Sequence, residues 1–498
     1  MRAPLVLSGV VAIALLAHAR SLGAGFVYDD AFAVVDNPVV RGNLDLVQLL
    51  GRDFWGQPPG AGVGTWRPLP VLSFWLDWRT GGGAPWAFHL GNLLAHALAS
   101  LALAWAARSP LAGAIFAAFA INTEAACGIV GRADIMAAGF CFLAWGLVRR
   151  SGPAAALAFL AALLCKESAV ALPVWLLLVE RRRAVAWLAA GALAYLALRA
   201  ATFGFHPVVV SHDSNVLLGE PPGVRALTAL HLLALALRLI LAPVELSADY
   251  AFAAILPERG LSVDVALGVL GLAALLAAAV LARRRAPDVA RGVAIFLVGF
   301  AAIANVAALL PALFAERLLY LPAAGIAAAL AGALRLLDRR LAVALAALLV
   351  AGNLARSIAR DADWKDDIAL FGSAVETTPG SARAWFNHGS ALRRAGRLDE
   401  ALESLARATA IAPSWAKPRT AAGAALDQLG RPELAEPQLR RAVALDPDLD
   451  EAAYNYAVFL ARRGRAPEAR ALLDSHVERH PPTPGIRRLL DDLKSISR

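Results

Sequence analysis

The sequence predicts an all-α protein: a polytopic bundle of membrane helices followed by a soluble helical-repeat solenoid. Three observations carry this. Hydrophobic residues make up 59% of the 498 and charged ones only 17%, against about 45–50% and about 25% in an ordinary soluble domain. The apolar residues gather into successive runs separated by short arginine clusters. From about residue 362 the chain turns charged and periodic, with a 34-residue step between equivalent small residues.

Residues 4–19 form the first apolar run, preceded by Arg2. Ala17-His18-Ala19 would suit a signal-peptidase site. We read the run instead as a retained anchor, because the acidic pair of Gly25-Phe26-Val27-Tyr28-Asp29-Asp30 follows at once and needs a fixed distance from the membrane. Loop 1, about residues 20–85, is rich in Gly, Pro and Trp, with turns at Asn37-Pro38 and Pro58-Pro59. Asp36, Asp45 and Asp53 are expected to be solvated. A short amphipathic helix is expected at about 70–78, lying on the membrane through Phe74, Trp75 and Trp78.

Further apolar segments lie near 87–107, 110–122, 129–148, 153–165, 168–180, 184–200, 226–242, 262–282, 290–311, 317–337 and 341–358. Several fall short of the roughly 20 residues a spanning helix needs, which is tolerated where protein rather than lipid surrounds them. Arg108, Arg149-Arg150, Arg181-Arg182-Arg183, Arg283-Arg284-Arg285 and Arg339-Arg340 orient the bundle as cytoplasmic anchors. That orientation requires one segment not to cross. Segment 226–242, with Arg238 and the ending Ala242-Pro243-Val244-Glu245, is expected to be re-entrant or to lie on the surface. About eleven crossings remain, with loop 1 and the C-terminal domain extracytoplasmic. The composition, rich in Ala, Arg and Leu and poor in Lys, points to a GC-rich bacterial source, hence a bacterial inner (cell) membrane.

The net charge of +9 sits in those clusters. No basic and aromatic surface module accompanies it, so nucleic acid is not an expected partner. Cys127, Cys141 and Cys165 lie in or beside apolar runs at no metal-ligand spacing and read as small buried residues.

In the C-terminal part Gly389 recurs at Gly423, Gly396 at Gly430 and Gly464, Ala401 at Ala435 and Ala469, and Pro413 at Pro447 and Pro481. This is the tetratricopeptide pattern. Repeats are assigned to 382–415, 416–449 and 450–483, with a half-repeat from Trp364 to Pro379. The chain therefore divides into a transmembrane domain, 1–361, and a repeat domain, 362–498, whose groove suits an extended peptide or a partner protein.

Charges at membrane-helix ends are costly and mark function. Under this topology four groups share the outer face: Asp29 and Asp30; Glu124, Arg132 and Asp134; Lys166 and Glu167; Glu316, Arg317 and Tyr320. The structural alternative is that Lys166–Glu167 and Glu316–Arg317 are local ion pairs. His89 and His96 are expected to pack or hydrogen-bond rather than bind a metal, since no third ligand is evident, and no metal is expected. A carboxylate near the membrane surface can take the proton of an acceptor hydroxyl. Arg132, Lys166 and Arg317 can neutralise a leaving lipid phosphate, while the bundle supplies a groove for its chain. A single base with in-line displacement inverts the sugar's anomeric configuration.

These residues resemble the transmembrane and tetratricopeptide repeat-containing (TMTC) family, relatives of protein O-mannosyltransferases with the GT-C membrane fold. The matching stretches are Phe26-Val27-Tyr28-Asp29-Asp30 with Asn37-Pro38, Trp66-Arg67-Pro68-Leu69 with Ser73-Phe74, and Phe88-His89 through Asn92 and His96. They continue with Thr123-Glu124-Ala125 and Gly131-Arg132-Ala133-Asp134, Lys166-Glu167-Ser168, and Glu316-Arg317-Leu318-Leu319-Tyr320-Leu321-Pro322. The resemblance implies a polyprenyl-phosphate-linked sugar donor (mannose in the eukaryotic members), no other cofactor, and a protein Ser or Thr hydroxyl or an envelope glycan as acceptor. It makes Asp29 the catalytic carboxylate and Asp30 its partner. Two departures stand out: Phe119-Ala120 replaces the His-Pro usual before the Glu-containing turn, and the repeat array is short. The competing reading is a non-catalytic membrane-anchored scaffold. A transporter would place polar groups at mid-membrane in broken helices, whereas here they gather at helix ends.

Overall fold

The computed structural model describes residues 2–180, 182–252 and 254–496. Of the expected basic cluster at 181–183, Arg181 and the side chains of Arg182 and Arg183 lie outside this description. Every regular element among the described residues is helical. The chain forms two compact units, Met1–Ala248 with Leu256–Leu370, and Asp249–Ile255 with Phe371–Arg498. The division falls inside the helix Asp367–Thr377, where the sequence reading divided the chain at 361/362.

In the first unit, seven helices among the described residues are long and apolar enough to cross a membrane: Pro85–Ala106, Ile129–Leu147, Val185–Thr202, Pro222–Leu241, Val263–Ala282, Glu316–Leu334 and Arg339–Trp364. Leu5–Ala17, Gly152–Cys165 and Glu167–Val179 are apolar but shorter. Segment 226–242 belongs to the unbroken helix Pro222–Leu241 and does not turn back on itself as a re-entrant reading required. Segment 290–311 is helical only as far as Ala301. Beyond it Asn305, at φ 59°, accepts from Leu310 N at 2.9 Å and donates to Leu313 O at 2.9 Å, so a buried amide replaces the lost helical turn.

The segment expected at 110–122 is broken. Pro110–Ala118 and Ala120–Cys127 meet at 61°. Phe119 leaves helical geometry, and the freed backbone is satisfied by side chains. Asn353 accepts from Ala120 N at 3.2 Å, and Asn122 donates to Phe116 O at 2.8 Å. A helix break away from water persists only where such partners exist. Its effect is to carry Glu124 sideways into the bundle.

Loop 1 is folded rather than open. Asp45 caps Leu46–Gly51 by accepting from Val47 N and Gln48 N. Asp53, expected to be solvated, is 2% exposed and turns the chain by accepting from Trp55 N and Gln57 N. The helix expected at about 70–78 exists and runs over Pro68–Gly81. Phe74 is not a membrane anchor, however: it is fully buried against Phe54 and Phe88. A folded loop supplies a core of its own, and the most apolar face of the helix turns toward it.

The second unit pairs Ala382–Arg394 with Leu398–Ile411, Ala416–Gln428 with Pro432–Leu445, and Asp450–Arg462 with Ala466–Val477. These three helix pairs fall within 382–415, 416–449 and 450–483. Gly396, Gly430 and Gly464 take φ of 78°, 70° and 75° between the paired helices, a left-handed turn that disfavours any Cβ. Gly389 and Gly423 answer to packing instead: a Cβ would come within 2.8 Å of Leu405 at the first and 2.6 Å of Leu439 at the second.

Candidate active site

Asp29 and Asp30 stand on a strained turn. Tyr28 has φ 53°, which for a non-glycine costs of order 1–3 kcal/mol. Asp367 holds it there by accepting from Tyr28 N at 2.8 Å. The turn sends the two carboxylates to different places. Asp30 is fully buried and accepts from Val27 N and Val130 N, both at 3.1 Å. Burial, aided by the Asp29 charge, pushes its pKa up to about 7, against the lowering pull of those backbone donors. Asp29 keeps a side chain 25% exposed and lies 3.8 Å from Arg317. Of the two expected catalytic carboxylates, one is reachable and the other braces the turn.

Arg317 is the hub of this half. Its backbone N–H donates to Glu124 Oε2 at 3.0 Å, and its guanidinium pairs with Glu124 Oε1. Glu124 is 2% exposed. The neighbouring Glu316 is turned away and accepts from Ser247 N at 2.6 Å. Thus Glu316–Arg317 is not a local pair, because consecutive residues of a helical turn point in different directions.

The second half centres on Lys166 and Glu167, which also part company. Lys166 donates to both oxygens of Asp134, at 2.6 and 2.7 Å, with the two side chains 9% and 8% exposed. Glu167 accepts from Arg67 Nε and Nη2 at 3.3 and 3.2 Å. Arg199 lines the same groove as Glu167.

Arg132 departs from its expected role. Nε donates to Asn92 Oδ1 at 2.7 Å and Nη1 to Ser73 Oγ at 3.2 Å, while the guanidinium also pairs with Asp77 and Phe88 O. It ties loop 1 to the bundle and has little left for a phosphate. Gly91 makes room for it, since a Cβ there would meet Nη2 at 2.5 Å.

The histidines are structural bridges. His89 Nε2 donates to Gly25 O at 3.2 Å. His96 Nε2 donates to Ala117 O at 3.2 Å, which leaves Nδ1 to accept from Tyr320 Oη at 2.7 Å. Tyr320 therefore faces the bundle interior rather than a substrate. All three cysteines are free and buried. Among the described residues two groups are close enough to share a cation: His18–Cys127–Asp361 and His231–Glu258–Asp264. In the first, one oxygen of Asp361 accepts from both His18 Nδ1, at 3.0 Å, and Cys127 Sγ, at 3.1 Å, which is a hydrogen-bonded tie between chain segments.

Sequence reasoning missed Asp77 and Arg199. Arg199 left a signal, as a lone charge in an apolar run. Asp77 left none, because its partner is 55 residues away. Arg199 lines an apolar groove of about 620 Å³ together with Glu167, Tyr195, Phe159 and Leu188.

A polytopic helical membrane unit with a buried charge constellation, joined in one chain to a tetratricopeptide solenoid, defines the class of protein. Tetratricopeptide-repeat family models match residues 353–414 and 428–493. Protein O-mannosyl-transferase Tmtc2 of Drosophila melanogaster is 42% identical over 184 residues, covering 32% of this chain and 20% of that protein. Protein O-mannosyl-transferase TMTC3 of Mus musculus is 25% identical over 476 residues, covering 81% of this chain and 51% of that protein. The chain is thus similar to the TMTC proteins, and it spans about half the length, or less, of these curated relatives. A solved thermophilic tetratricopeptide protein of Thermus thermophilus aligns with 34% of this chain and 91% of its own at 24% identity and a TM-score of 0.23.

Proposed function

We propose that the chain is a GT-C type membrane glycosyltransferase. It transfers a sugar, mannose by analogy with the names of its relatives, from a polyprenyl phosphate to a protein Ser or Thr hydroxyl. The observation that carries this reading is a division of charge. Asp29 and Glu124 outnumber Arg317 on one side, while Arg67, Lys166 and Arg199 outnumber Asp134 and Glu167 on the other. The negative side suits the acceptor: Asp29, the partly exposed carboxylate, takes the hydroxyl proton as the new glycosidic bond forms. The positive side suits the leaving lipid phosphate, which departs with the bonding electron pair and needs cations around it. Arg67 and Arg199 take the place that Arg132 cannot, and the groove beside Arg199 takes the polyprenyl chain. Arg132 and Tyr320 act as positioning residues. The site and the repeat domain are extracytoplasmic by the arginine distribution, and the repeat groove presents the acceptor.

The test compares envelope proteins and glycans by mass spectrometry in cells carrying wild type or Asp29→Asn. Loss of a hexose, by about 10²–10⁴ in transfer rate, with normal membrane insertion, is the expected result. Unchanged hexose in both pools at normal expression would sink the enzyme reading and favour the non-catalytic scaffold.

A further inference from the structure

The far end of the bundle carries a second charged site. The helix Pro85–Ala106 holds His89 near its start, beside the candidate site, and Ala106 at its end. Its 22 residues, at about 1.5 Å each, separate the two ends by about 30 Å. There a cavity of about 670 Å³ is lined by Arg108, Arg149, Arg291 and Arg335 with only Glu180 and Asp288 as counter-charges. Arg149 is the spoken-for member: it pairs with Glu180, donates to Ala106 O at 2.8 Å and lies over Trp145. Arg291 and Arg335 share a single carboxylate, Asp288, at 2.9 and 2.7 Å. Arg108 makes no ion pair among the described residues. Four guanidinium groups against two carboxylates leave two positive charges in excess.

An apolar groove adjoins the cavity at Arg335. It has a volume of about 450 Å³ and is walled by Leu111, Leu334, Val343, Ala346 and Val350. Arg339 stands on the same groove. A cationic cavity that shares Arg335 with an apolar groove fits an amphiphile with an anionic head. A free phosphate would need the first part and leave the second empty.

We propose that this cavity and groove bind an anionic phospholipid, its phosphate among Arg108, Arg291 and Arg335 and one acyl chain along the groove. The site lies on the leaflet opposite Asp29. By the arginine distribution that is the cytoplasmic leaflet, where polybasic protein surfaces meet anionic lipid. Such a lipid would fasten the helix Arg339–Arg360 to Tyr320–Leu334, the helix that begins beside Arg317.

The experiment uses the full chain in nanodiscs of phosphatidylcholine with a minor fraction of phosphatidylglycerol, released for native mass spectrometry. Wild type is expected to retain phosphatidylglycerol at least tenfold above its share of the bilayer. Arg108→Gln with Arg291→Gln should cut that enrichment tenfold. Val343→Trp, which alters no charge, should cut it by filling the groove. Thermal melts check that each variant is folded. Excess glycerophosphoglycerol, the headgroup without chains, should not displace the lipid. Retention in proportion to bilayer composition overturns the proposal outright, a result that needs no variant. Displacement by the soluble headgroup, or indifference to Val343→Trp in a folded protein, would reduce the site to a free-anion site and overturn the lipid assignment.

Discussion

Lys166 offers the sharpest test of how the charged constellation is built. Its ammonium touches both oxygens of Asp134 at 2.6 and 2.7 Å, and neither side chain is more than 9% exposed. Lys166→Met removes one charge and strands the other away from water, which costs about 3–5 kcal/mol for a buried pair. Lys166→Met combined with Asp134→Leu strands nothing, so the double variant should recover most of that loss and lie within about 1–2 kcal/mol of wild type. The assay is reversible unfolding in mixed micelles of the four proteins of the cycle, with helical signal as the readout. The functional corollary separates two roles. As a partner of Asp134, Lys166 acts through stability, whereas a lysine that gripped the donor phosphate directly would, when removed, raise KM for the donor and leave unfolding unchanged. A single-variant cost below about 1 kcal/mol, or a double variant as damaged as the sum of the singles, would refute the buried-pair reasoning.

Two further outcomes follow from the structure. Asp30 has its pKa raised from 3.8 to about 7, so the folded state holds the proton more tightly than the unfolded chain. The resulting stability is fully present below about pH 4 and is lost as pH rises through 7, a swing of about 4 kcal/mol; melts across that range should show it in wild type and not in Asp30→Asn, and a flat wild-type profile would contradict the burial argument. Gly423→Ala puts a Cβ within 2.6 Å of Leu439 and should destabilise the repeat domain by about 1–3 kcal/mol, seen as lowered protease resistance of the solenoid, whereas a surface change such as Arg431→Ala should leave it intact.

The sequence by itself determined the elements and their kinds. Composition and the lengths of apolar runs declared a helical membrane unit, because a span must bury its own backbone polar groups and few chains can. The 34-residue step declared the repeats, because Gly396, Gly430 and Gly464 meet the same backbone demand three times. Those signals are local or periodic and need no partner. The charged residues were legible as a group for a similar reason: Asp29, Glu124, Lys166 and Arg317 each stand out against apolar surroundings. Their pairing was not. Lys166 turned from its neighbour Glu167 to Asp134, Arg317 from Glu316 to Glu124 and Asp29, and Arg132 to Asp77. An ion pair is decided by which helix ends meet in space, and sequence adjacency on a helical turn points side chains apart. The break at Phe119, the burial of Phe74 and Asp53, and the separation of a partly exposed Asp29 from a buried Asp30 belong to the same class. Each depends on what packs against the residue from elsewhere in the chain, and only the tertiary structure decides that.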